Sequence, residues 1–176
     1  FDIYKNEFEL LKTEKRKREF LGVRLALNEL LSGKNTVQYD LDGKPFLKDD
    51  YRHISISHSG KWIAVIVHPT NAVGIDIEQP TDKFKKLYTR YLSSIEQTEL
   101  SEGQNISQLQ LAWSVKEALY KIIGKEAVDF SNQLRIFGFK LNQTGEIKCE
   151  HIPKQQVYSL HYIIENEFSI VYCISK

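Results

Sequence analysis

Apolar residues recur at helical spacing in two stretches of the chain. From Glu14 to Ser32 they fall three or four positions apart, as at Val23 and Leu27, and this spacing predicts an amphipathic helix. The stretch from Leu109 to Ile123 repeats the pattern with a second apolar stripe. We also predict a helix over the charged stretch from Thr81 to Glu102.

Other stretches show the two-residue alternation or the short apolar runs that are typical of β-strands. The predicted strands are His53–Ser57, Trp62–Val67, Val73–Glu78, Leu134–Leu141, Ile147–His151, Val157–Ile164 and Phe168–Ile174. A long helix followed by several strands therefore occurs twice. This order predicts the α+β class, with two similar halves that pack as a pseudo-dimer in one chain, each a long helix plus a small antiparallel sheet. We place the halves at residues 1–80 and 81–176 and expect one compact functional unit.

The composition of the 176 residues narrows the class of protein. Lys and Arg number 24 against 23 Asp and Glu, which excludes a polybasic nucleic-acid coat and an acidic disordered tail. Hydrophobic residues make up 41% of the chain, enough for a packed core, but no apolar run approaches the ~20 residues that cross a bilayer. The first residues mix charges, unlike a signal peptide, and the two cysteines form no CxxC pair. We therefore expect a cytoplasmic protein that binds neither nucleic acid nor membrane.

Two acids lie two residues apart in the segment Gly74–Glu78. Asp76 and Glu78 share one strand face, about 6.6 Å apart along the backbone, so their carboxylates can converge on one hard cation such as Mg²⁺. The alternative is a solvated strand face with two ordinary acids, and the pentapeptide alone favours that alternative.

A second candidate group lies on the predicted helix Leu109–Ile123. Trp113, Glu117 and Lys121 are spaced four residues apart and so line one helix face. An ordinary surface Glu–Lys pair, which stabilises a helix by only about 0.2–0.5 kcal/mol, is a common alternative. A carboxylate and an ammonium beside a partly covered aromatic ring are costlier to place, which favours a functional site.

Cationic and turn residues supply candidates for phosphate binding. The segment Ser57–Gly60 ends a strand at a tight turn, where serine and histidine side chains can donate to a phosphate, although ordinary turn residues are the alternative. Gly43–Pro45 places Lys44 on a rigid turn, and the segment Lys12–Arg24 carries six cations against two acids. Most such charge runs are solvated helix faces, but clustered Lys and Arg also bind phosphates well.

Taken together and in order, these motifs resemble the 4′-phosphopantetheinyl transferase superfamily, and most closely its surfactin-synthetase-activating type, which has two similar halves in one chain. The resemblance lies in Gly43–Pro45, Ser57–Ser59, Gly74–Glu78 and Trp113–Lys121. The family's Phe-Ser-x-x-Glu segment has a looser counterpart in Leu92–Glu96. Each motif alone is weak, but four short matches in the right order rarely coincide.

The resemblance implies an enzyme that moves the 4′-phosphopantetheine arm of coenzyme A onto a serine of an apo acyl or peptidyl carrier protein. It implies release of adenosine 3′,5′-bisphosphate and Mg²⁺ as the cofactor. The implied metal ligands are Asp76, Glu78 and Glu117, and the implied catalytic residues are Asp76, Glu117 and Lys121, with Glu117 or a water as the base. The implied coenzyme-binding residues are Arg24, Lys44, Pro45, Ser57, His58, Asp76 and Lys121.

Asp76 and Glu78 belong to the predicted first half and Glu117 to the second, so we expect the site between the halves. Two halves in one chain also make a monomer our expectation. Two other functions stay open, namely a coenzyme A-binding module without catalysis and an interaction domain whose acids lie on the surface. The binding module without catalysis is suggested by the end of the predicted helix. Family members carry a Gly-x-Gly-Leu turn there, whereas in this chain Gly124 is followed by Lys125–Ala127.

Overall fold

The computed structural model describes residues 4–31, 36–100, 105–124 and 128–176 of the chain. Within these ranges the protein is an α+β structure, as predicted from the sequence. The helices are α1 (Lys5–Glu9), α2 (Glu14–Leu31), α3 (Lys83–Tyr91), α4 (Ser94–Leu100), α5 (Ile106–Ile123) and α6 (Phe130–Gln133), with a short 3₁₀-helix at Ile152–Lys154. The strands are β1 (Val37–Tyr39), β2 (Pro45–Leu47), β3 (His53–Ser59), β4 (Trp62–His68), β5 (Val73–Glu78), β6 (Leu134–Ile136), β7 (Thr144–His151), β8 (Gln156–Ile164) and β9 (Ser169–Ile174). None of the helices in these ranges has the length and hydropathy that a bilayer crossing needs.

Five of these strands build one antiparallel sheet, and the others form two hairpins. The order in the large sheet is β5–β9–β8–β7–β6, and the hairpins pair β1 with β2 and β3 with β4. Strand β5 lies before the predicted boundary at residue 80, yet it pairs with the last strand from Val73 opposite Ile174 to Glu78 opposite Ser169. The division into two similar halves stays a prediction.

Helix α5 fills the core beside the large sheet because its apolar stripe faces the strands. Val115 and Leu119 are fully buried in the largest apolar cluster, and Ile122 and Ile123 pack against it, which confirms the predicted stripe of these four residues. Gly74 on β5 permits the close approach, since a Cβ at this position would lie 1.9 Å from the carbonyl oxygen of Ala118. The helix therefore lies directly on the strand that carries Asp76.

A buried ion pair fixes how α5 sits against the smaller elements. Lys116 and Glu96 are fully buried, and Nζ of the lysine lies 2.7 Å from Oε2 of the glutamate. The same ammonium donates to the carbonyl oxygens of Tyr91, Phe130 and Leu134. A buried charge is tolerated when it is paired and hydrogen-bonded in this way. The contacts tie α3, α4 and the start of β6 to one point on α5.

The first part of the chain packs around a smaller core. Val23 and Leu27 of α2 contact a cluster that includes Ile54 of β3, which confirms the amphipathic helix predicted there. Ser32, the last residue of the predicted helix, lies outside the described residues. Helix α2 therefore covers the β3–β4 hairpin on the side away from the large sheet's core.

The single helix predicted from Thr81 to Glu102 is wrong. The chain forms α3 and α4 with an extended residue, Leu92, between them, and residues 101–104 lie outside the described ranges. The Ser93 hydroxyl accepts from the amide of Glu96, and the Glu96 carboxylate accepts from the amide of Ser93. This reciprocal pair is a capping box, which starts a new helix.

The strand predicted from Leu134 to Leu141 is shorter in the structure, where β6 ends at Ile136. The amide of Phe137 still donates to the carbonyl oxygen of Lys148 on β7, and further along the segment is held by Tyr162 of β8. The Tyr162 hydroxyl donates to the carbonyl oxygen of Lys140 and accepts from the amide of Asn142. Hydrogen bonds of the Tyr162 side chain therefore take the place of further backbone pairing along this segment.

We expect Gly74→Ala to lower the free energy of unfolding by about 1–3 kcal/mol, because the new methyl group must displace a backbone oxygen. Urea unfolding monitored by circular dichroism measures the change. Gly138→Ala is the matched control, since a Cβ there meets no atom within 4 Å, and its effect should stay within about 0.5 kcal/mol. Equal effects of the two substitutions would contradict the close contact between α5 and β5.

Candidate active site

One cleft of about 980 Å³ opens between α2, the β1–β2 turn, the end of β3, strand β5 and helix α5. Every residue predicted for the site from the sequence lines this cleft. They are Arg24, Lys44, Pro45, Ser57, His58, Asp76, Glu78, Glu117 and Lys121. The fold thus brings residues from distant parts of the chain to one space, while the role of each residue stays a prediction.

Asp76 lies buried on β5, and two side chains hold its carboxylate. Ser57 of β3 donates from Oγ to Oδ1 at 2.9 Å, and Nζ of Lys121 lies 3.2 Å from the same oxygen. Lys121 also donates to the carbonyl oxygen of Ile75 at 2.6 Å. The ammonium therefore bridges α5 and β5 at the position of the acid.

Glu78 has an arrangement of the same kind two residues further along β5. Ser59 donates from Oγ to Oε2 at 2.8 Å, and Lys83 donates from Nζ to Oε1 at 2.9 Å. Gln110 of α5 donates to the Glu78 carbonyl oxygen at 2.8 Å. Each acid of β5 thus has one serine from β3 and one lysine from a helix.

Helix α5 presents Trp113, Glu117 and Lys121 to the cleft, as their spacing predicts. The Trp113 ring packs against Tyr91 and Phe130, with ring centroids 5.3 and 5.8 Å away. These aromatic contacts half-bury the face of the helix that carries Glu117. The carboxylate is therefore placed in a less hydrated environment than a surface acid.

Burial and charge repulsion shift the protonation of the acids. Burial raises the pKa of Glu117 to about 7, and the neighbouring Asp76 carboxylate acts in the same direction against the attraction of Lys121. Burial likewise raises the pKa of Asp76, again opposed by Lys121. Perturbed acids gathered in a cleft are a common property of functional sites.

His58 and Arg24 lie on the α2 side of the cleft. His58 points away from the Ser57 side of β3, as strand alternation requires, and its Nδ1 lies 3.3 Å from Oε1 of the buried Glu19. Arg24 is buried and donates to Oε2 of Glu7 at 3.2 Å. Carboxylates on α2 and α1 therefore orient both side chains.

Lys44 and Pro45 line the cleft from the turn between β1 and β2. Oδ1 of Asp40 accepts from the amide of Lys44, and the Lys44 carbonyl oxygen accepts from the amide of Asp40. Gly43 has a φ of 79°, a left-handed conformation that glycine adopts without strain. The predicted turn is confirmed, and the sequence Gly43–Pro45 explains its geometry.

The carboxylates of Asp76, Glu78 and Glu117 are hard oxygen donors of the kind that Mg²⁺ binds. Among the described residues, no three His, Cys, Asp or Glu side chains already stand close enough to hold a metal ion. Serine and lysine groups contact the oxygens of both β5 acids instead. The donor chemistry of the three carboxylates fits Mg²⁺.

Among the residues that contact the predicted site residues, Ser59, Lys83 and Glu19 are three to which the motifs assign no role. Serines at alternate positions of β3 match the alternate acids of β5, and this shared period of two could have indicated the contact of Ser59 with Glu78. Lys83 and Glu19 lie in charged stretches, where nothing in the sequence separates them from solvated residues.

The fold and the cleft together define an α+β protein with clustered carboxylates beside cations, an arrangement suited to anionic, phosphate-bearing molecules. Residues 72–173, more than half of the chain, match the 4′-phosphopantetheinyl transferase superfamily, and the chain belongs to this family. The segment Lys125–Ala127, where the sequence departs from the family pattern, lies outside the described residues.

Named relatives agree with this assignment. The chain is 28% identical over 137 residues to a 4′-phosphopantetheinyl transferase of Bacillus subtilis, which covers 74% of the chain and 59% of the relative. It is 31% identical over 118 residues to the 4′-phosphopantetheinyl transferase AcpT of Salmonella typhi, covering 64% and 62%. A phosphopantetheinyl transferase of Thraustochytrium is 32% identical over 101 residues, covering 47% and 35%. The chain thus spans less than two thirds of the length of these relatives.

We expect Glu117→Gln to remove part of the pH dependence of stability. The folded-state pKa of Glu117, about 7, lies above its ordinary value of 4.5. The native state therefore binds the extra proton between these pH values, and stability falls as the pH rises through that window. The substitution should change the free energy of unfolding little at pH 5 and raise it by roughly 2–3 kcal/mol at pH 8.

Urea unfolding at pH 5 and pH 8, in the presence of a chelator, measures this difference. Glu165→Gln, which changes an exposed glutamate on a turn, is the control and should show no such pH-dependent gain. If Glu117→Gln changes the free energy of unfolding equally at both pH values, Glu117 is not the group that binds the additional proton in the folded state.

Proposed function

We propose that this protein transfers the 4′-phosphopantetheine arm of coenzyme A to a serine hydroxyl of an apo acyl or peptidyl carrier protein, with Mg²⁺ as cofactor. The observation that carries the proposal is the single cleft in which the β5 acids meet Glu117 and Lys121 of α5. The names of the relatives from Bacillus subtilis and Salmonella typhi support the same reaction. We further propose that the protein acts as a monomer in the cytoplasm.

The size and charge of the cleft support coenzyme A as the substrate. Its volume of about 980 Å³ is at the upper end of the range for ligand pockets, about 300–1,000 Å³. Arg24, Lys44 and His58 line it and offer positive charge and hydrogen-bond donors to phosphate groups. In the proposal these residues, with Pro45 and Ser57, bind the coenzyme.

The reaction exchanges one phosphorus–oxygen bond for another. The serine oxygen of the carrier forms a bond to the phosphorus that bears the pantetheine arm. The bond from that phosphorus to the bridging oxygen of the pyrophosphate breaks, and adenosine 3′,5′-bisphosphate leaves with the bridging oxygen. The serine proton passes to a base. Such a transfer depends on positioning and on neutralising charge more than on covalent help from the enzyme.

The residues of the cleft suit these tasks. Glu117, which lines the cleft beside Lys121, would accept the serine proton directly or through a water. Lys121, which already bridges to Asp76, would offset negative charge on the leaving phosphate. Mg²⁺ bound by Asp76, Glu78 and Glu117 would neutralise charge on the pyrophosphate.

Intact-mass spectrometry tests the reaction directly. An apo acyl carrier protein and an apo peptidyl carrier protein are each incubated with this protein, coenzyme A and Mg²⁺. We expect a mass gain of one phosphopantetheine arm on at least one carrier, abolished by a chelator. Asp76→Asn and Glu117→Gln should slow the transfer about 100-fold or more, while Glu165→Gln should leave it unchanged.

Each contrary result has a definite meaning. Coenzyme A binding without a mass gain on either carrier would favour the alternative function, a binding module without catalysis. Near-normal transfer by Asp76→Asn would contradict its assignment as a metal ligand. Transfer that survives the chelator would contradict the role of Mg²⁺.

A further inference from the structure

Serine hydroxyls join strands β3 and β5, which belong to different sheets. Three serines at alternate positions of β3 each accept a hydrogen bond, 3.2 Å long, from a backbone amide, two of them in β5 and the third on the residue directly after it. The acceptors are Ser55, Ser57 and Ser59, and the donors are the amides of Ile75, Ile77 and Gln79. The two strands run in the same direction along this row, which we call the serine seam.

Two members of the serine seam also contact an acid of the cleft. Ser57 donates to Asp76, and Ser59 donates to Glu78 at 2.8 Å. A hydroxyl has a single proton to donate, so the amide bond and the carboxylate bond together define one orientation for each of these serines. In the same register, Ser55 stands opposite Gly74, which has no side chain to orient.

We infer that Ser59 is a positioning residue that holds the Glu78 carboxylate in the cleft, an inference that rests on the proposed function of the site. Among the described residues, Glu78 has one other side-chain partner, Lys83, whose side chain is 45% exposed. An exposed ammonium on a long side chain holds a carboxylate weakly, because solvent screens the charge and the side chain loses entropy. Ser59 lies on a paired strand and is anchored by the Gln79 amide, so it is the rigid partner.

The role of Ser59 has a consequence for cation binding. Without the hydroxyl, Glu78 can rotate with Lys83 toward solvent, and a cation that uses this carboxylate must first reorient it. Groups that orient metal ligands affect metal affinity by about 10–100-fold when they are removed. Ser59→Ala should therefore weaken divalent-cation binding even though Ser59 is not itself among the predicted ligands.

The test compares Ser59→Ala with Ser55→Ala, because both variants lose one amide acceptor of the serine seam but only Ser59 contacts a carboxylate. Titration calorimetry with Mn²⁺ in the presence of coenzyme A gives the cation affinity, and urea unfolding gives the stability. We expect similar losses of stability in the two variants. The dissociation constant of Mn²⁺ should rise about tenfold in Ser59→Ala and stay within about twofold in Ser55→Ala.

Two further variants separate positioning from a general loosening of the fold. Ser59→Thr keeps the hydroxyl and should restore the Mn²⁺ affinity. In a Glu78→Gln background, Ser59→Ala should have no additional effect, because residues that act through one group are not additive. Equal weakening by Ser55→Ala and Ser59→Ala, or an undiminished effect of Ser59→Ala beside Glu78→Gln, would overturn the inference.

The Mn²⁺ titration distinguishes a failure of this inference from a failure of the proposed function. If the unaltered protein binds Mn²⁺ but transfers nothing to a carrier, the proposed function fails and the Ser59 comparison still decides the inference. If it transfers normally and Ser59→Ala binds Mn²⁺ unchanged, only the inference fails. Absence of Mn²⁺ binding by the unaltered protein would overturn both.

Discussion

The close approach of α5 to β5 is the constraint on which the candidate site depends. Without a side chain at Gly74, the backbone of α5 at Ala118 lies directly against the strand. At this separation Lys121 reaches both the Ile75 carbonyl oxygen and the Asp76 carboxylate. The buried pair of Lys116 with Glu96 holds the same helix from its other side, so α5 has little freedom to rotate away from β5.

Burying the acids of the cleft costs free energy because the carboxylates lose hydration. The surrounding groups offset that free energy only in part. Each acid of β5 has one serine and one lysine partner, whereas Glu117 is left with a pKa of about 7 by burial and by the Asp76 charge. In the proposed function, a bound cation would offset this imbalance of charge. The packing that stabilises the fold therefore also buries uncompensated negative charge in the cleft, and the proposed function depends on that charge.

Much of the site could be predicted from the sequence, because its chemistry follows local periodicity. The period of two in β5 places Asp76 with Glu78, and the period near four in α5 places Glu117 with Lys121. The break between α3 and α4 was also encoded, in the Ser93–Glu96 pattern of a capping box. The pairing of β5 with β9 could not be predicted in this way, since it joins residues 91 to 101 positions apart and depends on the packing of the whole core.

The most direct test of the account is whether Mg²⁺ and coenzyme A stabilise the folded protein together through the acids of the cleft. Thermal unfolding is measured with each ligand alone and with both, in the unaltered protein and in Asp76→Asn. The account predicts a rise in Tm that needs both ligands, corresponding to about 2.7 kcal/mol at a hundredfold excess over Kd, and a loss of this rise in Asp76→Asn. An equal rise in Asp76→Asn, or no rise in the unaltered protein, would contradict it.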